Sequence, residues 1–259
     1  MLRVTFLLRK KTDMSHAEYY RYWREQHGPL VASHAQRLNI LRYVQVHTLH
    51  DEGANEAMAK ARGGMEPVYD GVAEVWFENR ESLLATFESE PGQRAAAELV
   101  EDEAKFIDLA HSPLWLSHEY PQVNPTPENL VARERSSIVK LYFPLRCKPG
   151  QDEHEAQTYW YSNHGPIIRR QAAGSGILRY VQVHRVEDEL EAALREARGT
   201  VTEAYMGHAE LWFDRAELGN ATPEGAAAGQ RAIEDESKFI DFARSSMWLA
   251  KEHEFVNHL

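Results

Sequence analysis

The 259-residue chain carries a single cysteine, Cys147. One thiol can neither close an internal disulfide nor form a thiol-redox pair, which points to a reducing, cytoplasmic setting. No run of about 18 apolar residues occurs, so no transmembrane helix is expected. The opening MLRVTFLLRKK is too short in its apolar part for a signal peptide and reads as a first strand. Positive charge is scarce: 29 basic against 40 acidic residues leave a formal net charge of −11. A surface of that sign repels phosphate backbones and anionic lipid, which excludes nucleic acid and membrane as main partners. GxGxxG, GxxxxGK, HExxH and CxxC are all missing, so nicotinamide, flavin, ATP and a clustered metal centre have no fingerprint here.

What the chain does have is a repeat. LRYVQVH occurs at 41–47 and again at 178–184, and YRYWREQHGPL (20–30) aligns with QTYWYSNHGPI (157–167). YDGVAEVWF (69–77) matches YMGHAELWF (205–213), and EDEAKFIDLAHSPLWL (101–116) matches EDESKFIDFARSSMWL (234–249). The spacing drifts only between these blocks, as expected for a duplicated unit with insertions at its surface. Each half reads as βαββαβ: short β-rich strands such as RVTFLLR and VKLYFPLR, a helix broken at Gly-Pro, the LRYVQVH strand, a third strand, a long helix and a last strand. Pro144 marks an edge or a bulge.

That order predicts an α+β protein of two ferredoxin-like repeats with antiparallel sheets. Residues 1–120 and 136–259 form the domains, and the proline-bearing segment 121–135 links them. Each sheet would leave one apolar face bare, so the two are expected to close on each other as a barrel within one chain, sheltering a hollow. Homodimerisation is left open.

Strand alternation assigns the lining of that hollow. The apolar rows Val4/Phe6/Leu8, Leu141/Phe143/Leu145 and Ala73/Val75/Phe77 suit the helices. Arg3, Lys140, Tyr142, Glu74, Trp76, His208, Glu210 and Trp212 then face inward, with Trp115 and Trp248 as aromatic walls. In the repeated strand Val44 and Val46 suit the helices, which sends Tyr43, Gln45 and His47 inward, and likewise Tyr180, Gln182 and His184. Any one of these could be a structural bridge, but imidazole, phenol and carboxylate together are costly to bury without a function.

The YWxxxHGP motif at Tyr22–Pro29 and again at Tyr159–Pro166, followed by RYVQ-H, resembles the EthD family of the dimeric α+β barrel superfamily. The resemblance covers both halves and implies a tandem member. It also implies a superfamily that includes cofactor-free monooxygenases, polyketide cyclases, isomerases, dehydratases and some haem enzymes, so fold alone does not set the chemistry.

The residues suggest a cofactor-independent lyase, dehydratase or isomerase moving protons on a small aromatic molecule of a catabolic or polyketide-type pathway. His47 or His184 would be the base and Tyr43 or Tyr180 the oxygen-polarising donor, with Glu74 or Glu210 orienting or acting as base. His27 and His164, just before the Gly-Pro break, are either catalytic or caps. His208 and Tyr142, absent from the matching places of the first half, favour the second cavity as the working one. Gln45, Gln182, Trp76, Trp212, Tyr142, Trp115, Trp248, Arg3 and Lys140 would hold the substrate. No metal is expected. A haem or cofactor-free monooxygenase and a non-catalytic binding protein are the alternatives.

Overall fold

The computed structural model describes residues 1–50, 52–125, 130–218 and 222–259. The first half supplies β1 (Leu2–Leu8), β2 (Arg42–Thr48), β3 (Gly71–Phe77) and β4 (Leu114–Val123). The second supplies β5 (Ile138–Leu145), β6 (Arg179–Arg185), β7 (Gly207–Asp214) and β8 (Trp248–Asn257). All are paired antiparallel in the closed order β1-β3-β2-β8-β5-β7-β6-β4. The expected barrel is therefore present, and it closes by edge-to-edge hydrogen bonding. Two seams join the halves, β2 with β8 and β4 with β6. The last strand of each half is long because its first part pairs within its own half and its remainder crosses to the other. Closure leaves no open edge among the described strands.

The helices pack outside. In the first half α1 (His16–Tyr22) runs through a π-helical turn, Trp23–His27, into α2 (Gly28–His34). α3 (Glu52–Ala61), α4 (Arg80–Glu88) and α5 (Glu90–Glu103) follow. The second half repeats the opening device with α6 (Glu153–Tyr159), the turn Trp160–His164 and α7 (Gly165–Gln171), then adds α8 (Glu189–Glu196) and α9 (Pro223–Glu236). Ser15 starts α1 with a reciprocal capping box to Glu18, and Asp152 caps α6. One core per half fills the space between helices and barrel wall, around Phe6, Leu8, Trp23 and Phe106 in the first and Phe143, Leu145, Trp160 and Phe239 in the second. No helix among the described residues is long and apolar enough to cross a membrane.

Residues 121–123 belong to β4, so the segment expected to link the halves begins within a strand, and its residues 126–129 lie outside the described residues. Ala132, further along, is buried and exchanges hydrogen bonds with Glu252. Pro144 lies beyond the short β5–β8 pairing, which ends at Tyr142, so no ladder N–H is asked of it on that side.

The two faces of the barrel wall follow the expected alternation in β1, β3, β5 and β7. They reverse it in β2 and β6. Val44 and Val46 lie opposite Glu74 and Val72 and pack inside the barrel with Leu7, Trp76 and Trp248. Val181 and Val183 pack inside with Trp212. Tyr43, Gln45 and His47, and with them Tyr180, Gln182 and His184, lie beneath the helices. Cross-strand partners share a face, and a shift of one residue moves a whole row to the other side. The helices present a backbone carbonyl that needs a polar partner, and the polar row turns to meet it.

Candidate active site

The barrel interior is largely filled by side chains, and its charged end borders a cavity of about 400 Å³ lined by Glu74, Trp76, Lys140, Glu210, Trp212 and Glu252. One end is apolar and aromatic, with Leu7, Val72, Trp115, Tyr142 and Trp248 all buried. The other end holds charges that satisfy one another. Arg3 Nη2 donates to Glu74 and Glu210 (both 2.5 Å), while Lys140 Nζ donates to Glu74 (2.8 Å) and Glu252 (3.2 Å) and lies 3.2 Å from Glu210. The Trp76 and Trp212 indoles donate to Glu119 (2.7 Å) and Glu252 (2.9 Å). Glu74, His208 and Glu210 bring metal-ligand atoms close together, but Arg3 and Lys140 already supply the positive charge there. Burial, outweighing the two cations, raises Glu74 to about 8. Burial pushes His208 down to about 3.

Beneath the helices the repeated motif is one hydrogen-bonded assembly, built twice. The π-helical turn lets the Gly28 N–H reach the Trp23 carbonyl, which also accepts from Gln45 Nε2 (2.7 Å). Gln45 donates to the Tyr43 hydroxyl (3.1 Å) and its carbonyl oxygen lies 3.0 Å from His47 Nε2. The Trp23 indole donates to the same hydroxyl (3.2 Å) and stacks on His47. Trp160, Tyr180, Gln182 and His184 repeat each contact, at 2.9–3.1 Å. Glycine is required at the break: a Cβ on Gly28 would stand 2.9 Å from Gln45 Nε2 and run into Phe255. On Gly165 it would meet Gln122 and Gln182. Burial lowers His47 and takes His184 down to about 3, so both are neutral rings of this scaffold and poor proton acceptors near neutrality.

The same assembly exposes two groups to a cavity. His27 Nδ1 lies 2.8 Å from Asp102 Oδ2, and Asp102 also accepts from Tyr22 (2.6 Å) and Lys105 (2.9 Å). The hydrogen bond from His27 leads the causes that hold Asp102 far below the usual carboxylate range. An ionised Asp102 fixes the Nδ1–H tautomer and leaves Nε2 as the free, basic nitrogen. The Tyr43 hydroxyl accepts from both Trp23 and Gln45, and among the described residues its own proton has no acceptor. Burial raises Tyr43, keeping it a neutral donor.

His27 and Tyr43 line a cavity of about 560 Å³ between the barrel wall and the helices, walled by side chains such as Phe6, Val31, Ala73, Phe77 and Leu99. Its rim carries Glu103, gripped by Arg198 Nε and Nη2 at 2.7 and 2.9 Å. Arg198 follows α8, so the second half closes the first half's cavity. The reciprocal holds: His164, Tyr180 and Glu236 line a cavity of about 430 Å³ closed by Arg62, which follows α3. His164 is held by Asp235 (2.9 Å), and Asp235 by Tyr159 (2.8 Å).

Of the expected site residues, the structure thus brings His27 with Tyr43, and His164 with Tyr180, to the two cavities. Gln45, His47, Gln182 and His184 stand behind them. Arg3, Glu74, Trp76, Trp115, Lys140, Tyr142, His208, Glu210, Trp212 and Trp248 face the barrel interior, where Glu74, Trp76, Lys140, Glu210 and Trp212 border the cavity at its charged end. The preference for the second half rested on His208 and Tyr142, and both face the barrel interior as the alternation predicts. Sequence reasoning missed Asp102, Glu103, Asp235 and Glu236, although the EDE triplets at 101–103 and 234–236 are identical, and it missed Arg62 and Arg198, which share Ala-Arg-Gly at 61–63 and 197–199.

The EthD domain family matches residues 11–110 and 148–243, one copy in each half. The chain belongs to the EthD family. No curated protein matches its sequence. Among solved structures, an anthrone oxidase-like protein superposes with a TM-score of 0.57 at 10% identity, over 100% of this EthD chain and 94% of its own. A candidate monooxygenase from Fusobacterium nucleatum subsp. nucleatum superposes at 0.50 with 7% identity, over 97% and 91%. At such identities these likenesses show the α+β barrel fold of this EthD protein.

Proposed function

We propose that the chain is an enzyme that abstracts a proton from a small aromatic molecule held in the first half's cavity. His27 Nε2 takes the proton, Asp102 stabilises the imidazolium that forms, and the Tyr43 hydroxyl donates to the oxygen that gains charge. The observation that carries this reading is the pairing of an aspartate-held histidine with a phenol whose acceptor sites are both filled, at the wall of an apolar cavity. Its walls suit a ring, and its few polar groups suit one ionisable oxygen. The two halves, 1–120 and 136–259, are taken as ferredoxin-like repeats, each with its own cavity. The first has the larger one.

Proton removal is common to isomerisation, elimination and oxygenation, so the step after it defines the enzyme class. The likeness in fold to an anthrone oxidase-like protein raises the oxygenase alternative. The test is solvent-deuterium exchange: small hydroxyaryl ketones and anthrone-like compounds are incubated with protein in D2O and followed by proton NMR. Exchange at the acidic C–H that disappears in His27→Ala supports the reading; exchange unaffected by that change overturns it. Oxygen uptake by the same mixtures separates oxygenase from isomerase or lyase, and a Soret band in the purified protein would move the reading to haem.

A further inference from the structure

A second cluster lies at the outer edge of the first half, away from both cavities. His16 opens α1, His50 follows β2 and Asp70 precedes β3, so three separate elements deliver one side chain each. His16 Nε2 stands 2.9 Å from Asp70 Oδ1, and His50 Nε2 stands 4.0 Å from the same oxygen. The three donor atoms all lie within 4.8 Å of one another, and the two imidazoles face each other with centroids 3.9 Å apart. Zinc bonds of about 2.0–2.2 Å in a tetrahedron separate ligand atoms by about 3.3–3.6 Å, a value these distances bracket.

The geometry points to a divalent transition-metal site of the zinc class, with His16, His50 and Asp70 as three ligands and water in the fourth position. Its surroundings fit that use. The Lys10 backbone N–H donates to Asp70 Oδ2 (2.9 Å), which orients the carboxylate and leaves Oδ1 for the ion. The Tyr20 hydroxyl sits 3.0 Å from His50 Nε2, but it also reaches the Asp70 and Thr48 carbonyls. Its proton can go to either carbonyl, freeing the ring nitrogen. A plain ion pair between His16 and Asp70 would not need His50.

The second half offers a comparison within the same chain. Repeat alignment places Glu153, Glu187 and Met206 at the three corresponding positions, a set without imidazole. The ion would therefore belong to the first half alone, tying the start of its first helix to the ends of two strands.

The test is titration of chelator-treated full-length protein with Zn2+ by calorimetry and with Co2+ by visible absorption. One ion per chain is expected, with the intense visible bands of tetrahedral Co2+. His16→Ala/His50→Ala keeps its far-ultraviolet circular dichroism, since both rings are partly exposed, and loses affinity by about a hundredfold or more. Asp70→Asn, which preserves the side chain's shape, weakens binding and keeps the fold. The chain has thirteen histidines, so the location matters as much as the stoichiometry. Equal affinity in the double variant, or wild-type protein that takes up no stoichiometric ion, overturns the proposal.

Discussion

The barrel interior and the cavities on its flanks share the same strands, one row of side chains facing each way, yet they are chemically opposite. The interior gathers the most charge, and most of that charge is paired within it: Arg3 and Lys140 sit among Glu74, Glu210 and Glu252, with Arg3 Nε left unpartnered among the described residues. The flank cavity is walled mostly by apolar side chains, and besides the Glu103–Arg198 pair at its rim it is lined by His27 and by Tyr43, whose hydroxyl proton has no acceptor among the described residues. A buried cluster of titratable groups marks a candidate site only when something in it is left free to act. On that criterion we propose His27 and Tyr43 over Glu74 and Glu210.

The comparison breaks most visibly at Arg3. Arg3→Met takes from Glu74 and Glu210 one of the two cations they share, leaving Lys140 alone, and should cost about 3–5 kcal/mol in chemical denaturation, with no specific effect on ligand binding beyond lost stability. If the variant instead folds as well as wild type while ligand binding is lost, the interior is the working site after all. His27→Ala should act mainly on function: a stability cost of about 1–3 kcal/mol from the lost hydrogen bond to Asp102, and a loss of about 10²–10⁴-fold in the exchange rate, with His164→Ala showing which cavity carries the activity. Gly28→Ala sharpens the contact between helix and strand. Its methyl meets Phe255 and Gln45, and a loss of about 1–3 kcal/mol in melting experiments is expected.

Glu74→Gln gives the smallest change at neutral pH, about 1 kcal/mol or less, because an amide stands in for a carboxyl that is largely protonated there. Its signature is in the pH profile. Near and below its ordinary value of 4.5 the Glu74 proton is bound in both folded and unfolded chains, and its contribution is intact. Between 4.5 and about 8 the unfolded chain releases the proton while the folded one keeps it, so stability falls as pH rises. Melting temperatures across that window should slope less in Glu74→Gln than in wild type.

The barrel, the repeat and the two-sidedness of the strands were legible because β1 and β3 alternate a fully apolar row with a mixed one. β2 was misread because both its rows are buried and the valines looked like the natural neighbours of helices. The deciding fact was a backbone group, the Trp23 carbonyl held out by a π-helical turn, and hydrophobic periodicity does not report it. His27 was visible in the HGP motif, but its partner Asp102 lies 75 residues away in sequence, a separation that strand and helix patterns do not bridge. Arg198 and Arg62 were hidden for a further reason. Each serves the half to which it does not belong.

That exchange of arginines has a consequence for how such a chain can diverge. A duplicated copy is ordinarily free to decay once its twin performs the task, but here each copy furnishes the rim of its neighbour's chamber. Erosion around Arg62 would unlatch the second half's chamber, and erosion around Arg198 the first, so the two halves are bound to a common fate even if one of them performs no chemistry at all.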